Sequence, residues 1–323
     1  RHMACTIGID LGAVSATAAL FADSDTAAAL AAREDIDRHP AGNAAGRELL
    51  VVRYRRTRGR PVDASVALLQ GIVDAVGPEA IDGVMFTGSG GPLAAGKLGG
   101  QHVNEFKAAA VGLGRLGIDA RTVFEMGGET GKYLLLSRHD DGGYGIIDYA
   151  TNGDCAAGTG SFIDQQANRL HYKVEEIGEI CNAAERSAQV AGRCSVFAKS
   201  DMIHAQQKGY TPPEVLKGLC VAVARNFKTA VVRSHPVEAP VVFLGGVTAN
   251  RAVVEAMREA FDLSEQEMTI PEPHAHVPAI GAAAAAAEAG ATLDLSHLER
   301  LRREAHADDA AFATQQALRM DNV

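Results

Sequence analysis

Two cysteines lie among small residues, and each precedes a segment whose pattern predicts a helix. Cys155 occurs in NGDCAAGTGSF, and Cys194 occurs in GRCSVFAKSDM further along the chain. The free N–H groups and the positive dipole end at a helix start stabilise a thiolate. Two such thiolates are suited to bind an iron–sulfur cluster, and a 4Fe–4S cluster needs four. The cysteine pattern therefore predicts one cluster shared across a two-fold homodimer.

The alternative is that Cys155 and Cys194 are small buried thiols. A zinc site is disfavoured, because the sequence has no CxxC and no nearby Cys–His pair. The other cysteines are expected in the hydrophobic core, Cys5 on the first strand and Cys181 and Cys220 at apolar positions of helices. An odd number of cysteines does not form a disulfide framework, so we expect a reducing cytoplasm.

Three glycine turns between apolar runs could bind the phosphates of a nucleotide. They contain Gly12, Gly127–Gly128 and Gly245–Gly246. Glycine lets main-chain N–H groups approach a phosphate closely. Asp10 precedes the first turn and Glu125 precedes the second, and such carboxylates suit Mg²⁺ binding and water activation. We therefore predict that Asp10 binds Mg²⁺ and that Glu125 orients or deprotonates the attacking water.

The two acidic turns lie in similar strand–turn–strand units. CTIGIDLGAVSATAALFA opens the chain, and TVFEMGGETGKYLLLS repeats its pattern later. A third unit, PVVFLGGVTANRAVVEAMREAF, runs from a strand through a glycine turn into a helix, where Asn250 is predicted either to contact adenosine or to cap the helix. These units favour a duplicated α/β architecture. The sequence has no GxxxxGK[ST] motif and no GxGxxG after the first strand, which disfavours P-loop and Rossmann folds.

The composition is that of a globular protein long enough for two lobes. The chain has 323 residues, 47% hydrophobic and 22% charged, with a formal net charge of −9. This charge argues against nucleic-acid binding, although RYRRTRGRP, from Arg53 to Pro61, is locally basic. We interpret that run as a solvated strand edge or loop, with a phosphate or partner patch as the alternative. No apolar stretch has the length of a membrane span, no secretory signal is found, and the opening RHM resembles a cloning remnant.

Several loops resemble those of the acetate kinase, sugar kinase, Hsp70 and actin superfamily of ATPases. IGIDLGAVSATAALF is similar to its first phosphate loop, FEMGGETGKYLLL to its second and VVFLGGVTAN to its adenosine loop. The resemblance implies an α/β fold with two RNase H-like (actin-like ATPase) lobes around a nucleotide cleft and a helical cluster-binding insertion. It implies a first lobe at 4–100, a second lobe at 101–290 whose last helix returns to the first, and a helical tail or linker at 291–323.

A narrower resemblance comes from NGDCAAGTGSFIDQQANRL together with GRCSVFAKSDMI. Both are similar to the BadF/BadG/BcrA/BcrD ATPase family, which includes activators of 2-hydroxyacyl-CoA dehydratases and ATPase subunits of benzoyl-CoA reductase. The resemblance implies that Cys155 and Cys194 bind the shared 4Fe–4S cluster. It also matches Lys132 to a lysine of the second phosphate loop, with an exposed strand lysine as the alternative. The chain departs from the family in the first loop, which has Ala13, Val14 and Thr17 where hydroxyls and a lysine are usual. In the second loop it has Glu125 where Asp is usual before the glycines, and Glu129-Thr130 where Gln-Asp is usual after them.

The function implied by this resemblance is ATP-dependent electron transfer. ATP and Mg²⁺ would bind between the lobes, and hydrolysis would drive a low-potential electron from the cluster to a dehydratase or reductase partner. A ferredoxin- or flavodoxin-type protein would supply the electron. One alternative is a sugar- or acetate-kinase-like phosphotransferase without a cluster. Another is a non-catalytic nucleotide sensor or scaffold, which the altered first loop favours.

Overall fold

The computed structural model describes residues 4–44, 46–152, 158–192, 195–301 and 303. Cys155 and Cys194 lie outside these residues, as does most of the predicted tail. The described part of the chain contains two β-sheets, with helices packed on them and a cleft lined by residues from both. None of the described helices is both long and apolar enough to cross a membrane.

The first sheet is built around a buried central strand. Its strands are β1 (Cys5–Leu11), β2 (Ser15–Ala22), β3 (Ile36–Ala44), β4 (Arg47–Arg56), β5 (Ile81–Thr87) and β6 (Gln101–His102). Their order is β3-β4-β2-β1-β5-β6. Ile7 and Ile9 of β1 pack in a core with three helices, α1 (Ser24–Ala31), α2 (Pro61–Val76) and α3 (Gly91–Leu98). The nearly continuous burial of β1 is typical of a strand covered on both faces.

The second sheet repeats the arrangement of the first. Its strands are β7 (Thr122–Met126), β8 (Gly131–Arg138), β9 (Tyr144–Thr151), β10 (Val241–Leu244) and β11 (Met268–Thr269). Their order is β11-β10-β7-β8-β9. β7 pairs antiparallel with β8 and parallel with β10, as β1 does with β2 and β5. The two predicted hairpins therefore occupy equivalent positions in the two sheets.

Most of the remaining helices pack on the second sheet. They are α4 (Glu105–Leu116), α5 (Gly160–Arg169), α6 (Ile177–Asn182), α7 (Ser195–Gln207), α8 (Pro212–Asn226) and α9 (Arg251–Phe261). α8 begins with a capping box between Thr211 and Glu214. α8 ends at Asn226, and a π-helical turn, Phe227–Val232, follows it. The wider turn keeps the apolar side chains at both of its ends buried.

The helix α10 (Val277–Ala289) packs against β1, β5 and α4. Its small side chains let the backbones approach very closely. A Cβ atom at Gly8 would lie 2.0 Å from the main-chain oxygen of Ala279, and one at Gly281 would lie 1.8 Å from that of Ala108. Glycine is therefore required at both positions. α4 in turn packs on the second sheet, so α4 and α10 form a layer that contacts both sheets.

Candidate functional site

The cleft contains most of the residues that the sequence predicts to bind the nucleotide. The lining comes from the turns after β1, β7 and β10, together with the strand ends beside them. It includes Asp10, Gly12, Glu125, Gly127, Gly128, Lys132, Gly245 and Gly246. These residues come from both sheets, so the folded chain brings together three turns that are far apart in the sequence.

The glycine turns approach other backbone and side-chain atoms too closely for a larger residue. The N–H group of Gly127 donates to the oxygen of Thr130 at 2.8 Å, which closes the turn between β7 and β8. A Cβ atom at Gly128 would lie 2.6 Å from the Cβ of Val14, across the cleft in the first turn. Gly245 has a φ of 98°, and a Cβ there would lie 2.3 Å from the oxygen of Met126. The turn after β1 and the turn after β7 therefore touch through Val14 and Gly128.

The two predicted acids lie near each other inside the cleft. Asp10 is at the end of β1, and Glu125 is at the corresponding position near the end of β7. Burial raises the pKa of Asp10 to about 7, and the negative charge of Glu125 adds to this effect. A second carboxylate nearby favours a bound proton or a bound cation at Asp10.

Lys132 is the cationic partner of this acidic pair. It lies directly opposite Glu125 in the β7–β8 hairpin, and its Nζ donates to Glu125 Oε1 at 2.8 Å. The alternative of an exposed strand lysine is wrong, because only 4% of Lys132 is exposed. Burial alone lowers the pKa of Lys132, but the carboxylates of Glu125 and Glu105 outweigh it and the net pKa is raised. Lys132 therefore remains charged inside the protein.

Glu105 is a member of the site that the sequence does not identify. Its Oε2 lies 3.0 Å from Lys132 Nζ, and the residue lines the cleft. It is the first residue of α4, just after Asn104, whose side chain caps that helix. The local pattern reveals only the start of a helix, so nothing in it indicates that this carboxylate faces Lys132.

The loop before α10 also contributes to the cleft. His274 lines it, and the main-chain oxygen of His274 accepts a hydrogen bond from the N–H of Gly245 at 3.1 Å. The hydroxyl of Thr248 donates to the oxygen of Gly245 at 2.7 Å and lies 2.7 Å from His274 Nδ1. Asn250 caps α9 by accepting from the N–H of Ala252 at 3.0 Å, and it is not among the residues that line the cleft. Asn250 therefore caps α9, and its contact with adenosine stays a prediction.

The first turn of α5 is hydrogen-bonded directly to the turn at Gly127–Gly128, the predicted second phosphate turn. The N–H of Gly160 donates to the oxygen of Gly127 at 3.0 Å, and the N–H of Ser161 donates to the oxygen of Gly128 at 2.7 Å. The hydroxyl of Thr159 also donates to the oxygen of Gly128, at 2.8 Å. A displacement of this turn therefore displaces the start of α5.

The basic run is used for ion pairs within the chain. Arg56, at the end of β4, donates to Asp164 of α5 at 2.8 Å and lies 3.6 Å from Glu175. Arg53 and Arg55 also pair with acids, as does Arg60; their partners are Asp37, Asp35 and Asp63. The Arg56 pair links the first sheet to the helix that is attached to the second phosphate turn.

The cysteines divide into two groups. Cys5, Cys181 and Cys220 are free thiols in the core, as expected. The predicted cluster ligands Cys155 and Cys194 lie outside the described residues, and within those residues no group of three or more metal-binding side chains is found. α7 begins at Ser195, directly after Cys194, whereas α5 begins only at Gly160.

Comparisons with known proteins agree with this fold. The sequence profile of the BadF/BadG/BcrA/BcrD ATPase family matches residues 7–286. The chain is 29% identical over 183 residues to the 2-hydroxyisocaproyl-CoA dehydratase activator of Clostridioides difficile, covering 57% of this chain and 66% of that protein. It is 26% identical over 272 residues to a subunit of benzoyl-CoA reductase from Thauera aromatica, covering 83% and 86% of the two chains. The matched segment thus spans just under two thirds of the activator's length.

A solved structure shows the same fold. The activator of 2-hydroxyisocaproyl-CoA dehydratase from Clostridium difficile, with bound ADPNP, superposes with a TM-score of 0.67 at 22% identity, covering 93% of this chain and 97% of that one. The predicted α/β, actin-like ATPase fold is therefore confirmed. Because the family profile matches most of its length, the chain belongs to the BadF/BadG/BcrA/BcrD ATPase family.

Proposed function

We propose that this protein is an ATP-dependent electron-transfer activator. ATP hydrolysis in the cleft would drive a low-potential electron to a partner enzyme of the 2-hydroxyacyl-CoA dehydratase or reductase type. The observation that carries the proposal is the set of hydrogen bonds between the second phosphate turn and α5, since α5 follows the segment that contains Cys155. Relatives of the chain that are named as a dehydratase activator and as part of a reductase support the same partner class.

The residues of the cleft fit a nucleotide with Mg²⁺. The turns at Gly12 and Gly127–Gly128 have no side chain between their backbone and a phosphate, and Gly245–Gly246 would accept the adenosine. Glu125 Oε2 is buried and has no hydrogen-bond partner among the described residues, so the site holds an acceptor without a donor. Mg²⁺ would neutralise charge on the phosphate oxygens. Asp10 would hold the ion directly or through water.

Glu125 would orient or deprotonate the water that attacks the terminal phosphate. Its Oε1 is occupied by Lys132, which leaves Oε2 to accept a hydrogen bond from that water. In this arrangement Lys132 acts on the carboxylate of Glu125 and not on a phosphate.

The cleft would be coupled to electron transfer through α5. Loss of the terminal phosphate would change the position of the turn at Gly127–Gly128, and the hydrogen bonds of Gly160 and Ser161 would pass that change to α5. The ion pair between Arg56 and Asp164 gives α5 a second attachment, to the first sheet. The helix would thereby respond to opening and closing of the cleft.

A 4Fe–4S cluster shared by two protomers would supply the one-electron chemistry, with Cys155 and Cys194 of each chain as its ligands. Both positions precede helices, α5 and α7. Phe197 and Ile203 of α7 are unusually exposed for apolar side chains, at 67% and 44%, which supports contact of this helix with a second protomer or a partner. A ferredoxin- or flavodoxin-type donor would reduce the homodimer.

The test is the iron and acid-labile sulfide content of protein purified without oxygen, measured with its UV–visible spectrum. Wild type and Cys181→Ala are expected to contain about two irons per chain, and Cys155→Ala is expected to lose them. Cys181 is a matched control because it is a free thiol buried in the core beside the second sheet. Absence of iron from all three proteins would refute the electron-transfer role. ATP consumption that rises only with a hydroxylated small molecule would instead indicate a phosphotransferase.

A further inference from the structure

Lys132 is held by two carboxylates, although one would neutralise it. Its Nζ lies 2.8 Å from Glu125 Oε1 and 3.0 Å from Glu105 Oε2, and the lysine side chain is 5% exposed. A buried ammonium group has three donors and a flexible stem, so a single acidic partner does not fix its direction. The carboxylate of Glu105 therefore fixes the direction of the Lys132 ammonium group, which Glu125 alone would leave variable.

The carboxylate of Glu105 is itself on a rigid support. Asn104 caps α4 by accepting from the N–H groups of Phe106 and Lys107, which fixes the backbone at Glu105. α4 is packed tightly against α10: a Cβ atom at Gly112 would lie 2.1 Å from the oxygen of Val277. The N-terminal end of a helix also favours a negative charge. Glu105 can therefore hold Lys132 without moving itself.

Without Glu105, Lys132 would have two other partners within the cleft. Its Nζ could bind both oxygens of Glu125, or it could turn to a phosphate of the bound nucleotide. Either change would occupy or displace Glu125 Oε2, the buried oxygen that has no partner among the described residues. The ion pair with Glu105 keeps Lys132 Nζ bonded to Oε1 of Glu125 and away from Oε2.

We infer that Glu105 is a positioning residue for ATP hydrolysis: it holds Lys132 so that Glu125 keeps one oxygen free for the attacking water. The inference rests on the proposed hydrolysis of ATP at this site and goes beyond it by assigning a role to α4. Glu105 touches neither the water nor the phosphates in this scheme. Its replacement should therefore change turnover and leave nucleotide binding nearly unchanged.

The experiment compares steady-state ATP hydrolysis by the wild-type chain and by Glu105→Gln, Glu105→Asp and Glu259→Gln. The Gln variant at Glu105 is expected to lose roughly 10- to 100-fold in kcat, with KM for MgATP within about twofold of wild type. Glu105→Asp keeps the charge but shortens the reach, so its kcat is expected between those of the wild type and the Gln variant. Glu259→Gln removes an exposed carboxylate of α9 that is not among the residues lining the cleft, and it should retain wild-type kcat.

A kcat of Glu105→Gln within about twofold of wild type overturns the inference, as does a loss confined to KM. Circular dichroism shows whether each variant is folded. If Glu105→Gln does not fold, Glu105→Asp decides: unchanged kcat overturns the inference, and a lower kcat at unchanged KM supports it. Iron content is measured on the same samples. A wild type that hydrolyses ATP without iron refutes electron transfer alone, whereas a wild type that hydrolyses no ATP overturns both proposals.

Discussion

Replacing Asp10 by asparagine is expected to stabilise the metal-free protein at alkaline pH. Burial and the charge of Glu125 raise the pKa of Asp10 from 3.8 to about 7, so ionisation of this carboxyl is more costly in the folded chain than in the unfolded one. Its contribution to stability is complete below the unfolded pKa and is lost as the pH rises through the folded pKa. With about 1.4 kcal/mol for each pKa unit, the loss is about 2 kcal/mol at pH 5 and about 4 kcal/mol at pH 8. An amide does not ionise and avoids the loss.

The assay is thermal unfolding followed by circular dichroism, in EDTA and without nucleotide. Asp10→Asn should raise Tm by roughly 8 °C at pH 8 and by about half as much at pH 5. Asp140→Asn, in an exposed loop, changes the net charge equally and should show no such pH dependence. With Mg²⁺ and ATP present, the wild type should gain more stability than the variant, because only the wild type keeps the carboxylate for the ion. A Tm difference that does not grow with pH would refute the reasoning.

Two further predictions concern contacts across the cleft. Gly128→Ala would bring a Cβ atom to 2.6 Å from that of Val14. Calorimetric titration should therefore show an affinity for MgADP about tenfold lower than that of the wild type. Adding Val14→Ala should restore part of this affinity. Unchanged affinity in the single variant would contradict the proposed contact. Arg56→Glu breaks the ion pair with Asp164, and because exposed pairs contribute little, Tm should change by less than about 2 °C. The difference in amide hydrogen exchange of α5 between the ATP-bound and ADP-bound protein should nevertheless be smaller in Arg56→Glu than in the wild type. Adding Asp164→Arg reverses the ion pair and should restore the difference. A double variant that does not restore it would count against the coupling.

The glycine turns and their acids can be predicted because their signals are local. Each lies within a few residues of an apolar strand, and the length of the turn between β7 and β8 fixes which residues face each other. Glu125 and Lys132 are direct cross-strand partners for this reason. The sequence therefore contains enough information to pair these two side chains, once the hairpin is recognised.

Glu105 and His274 could not be predicted in the same way. Each enters the cleft from an element whose position depends on packing far along the chain, α4 in one case and the loop before α10 in the other. The basic run shows the same limit: the charge of Arg56 is plain in the sequence, but its partner Asp164 lies on a helix of the other half of the molecule. The charge pattern shows that these arginines need acidic partners, and only the fold shows which acids pair with them.

The packing of α10 has a consequence for how the protein folds during its synthesis. β1 lies at the start of the described chain, yet one of its faces is covered by a helix that begins at Val277. During synthesis from the N-terminus, that face of the first sheet therefore stays exposed until α10 has left the ribosome. The two halves are made one after the other, but the first is completed by segments synthesised after the second sheet, α10 and the residues around Leu298 and Leu301.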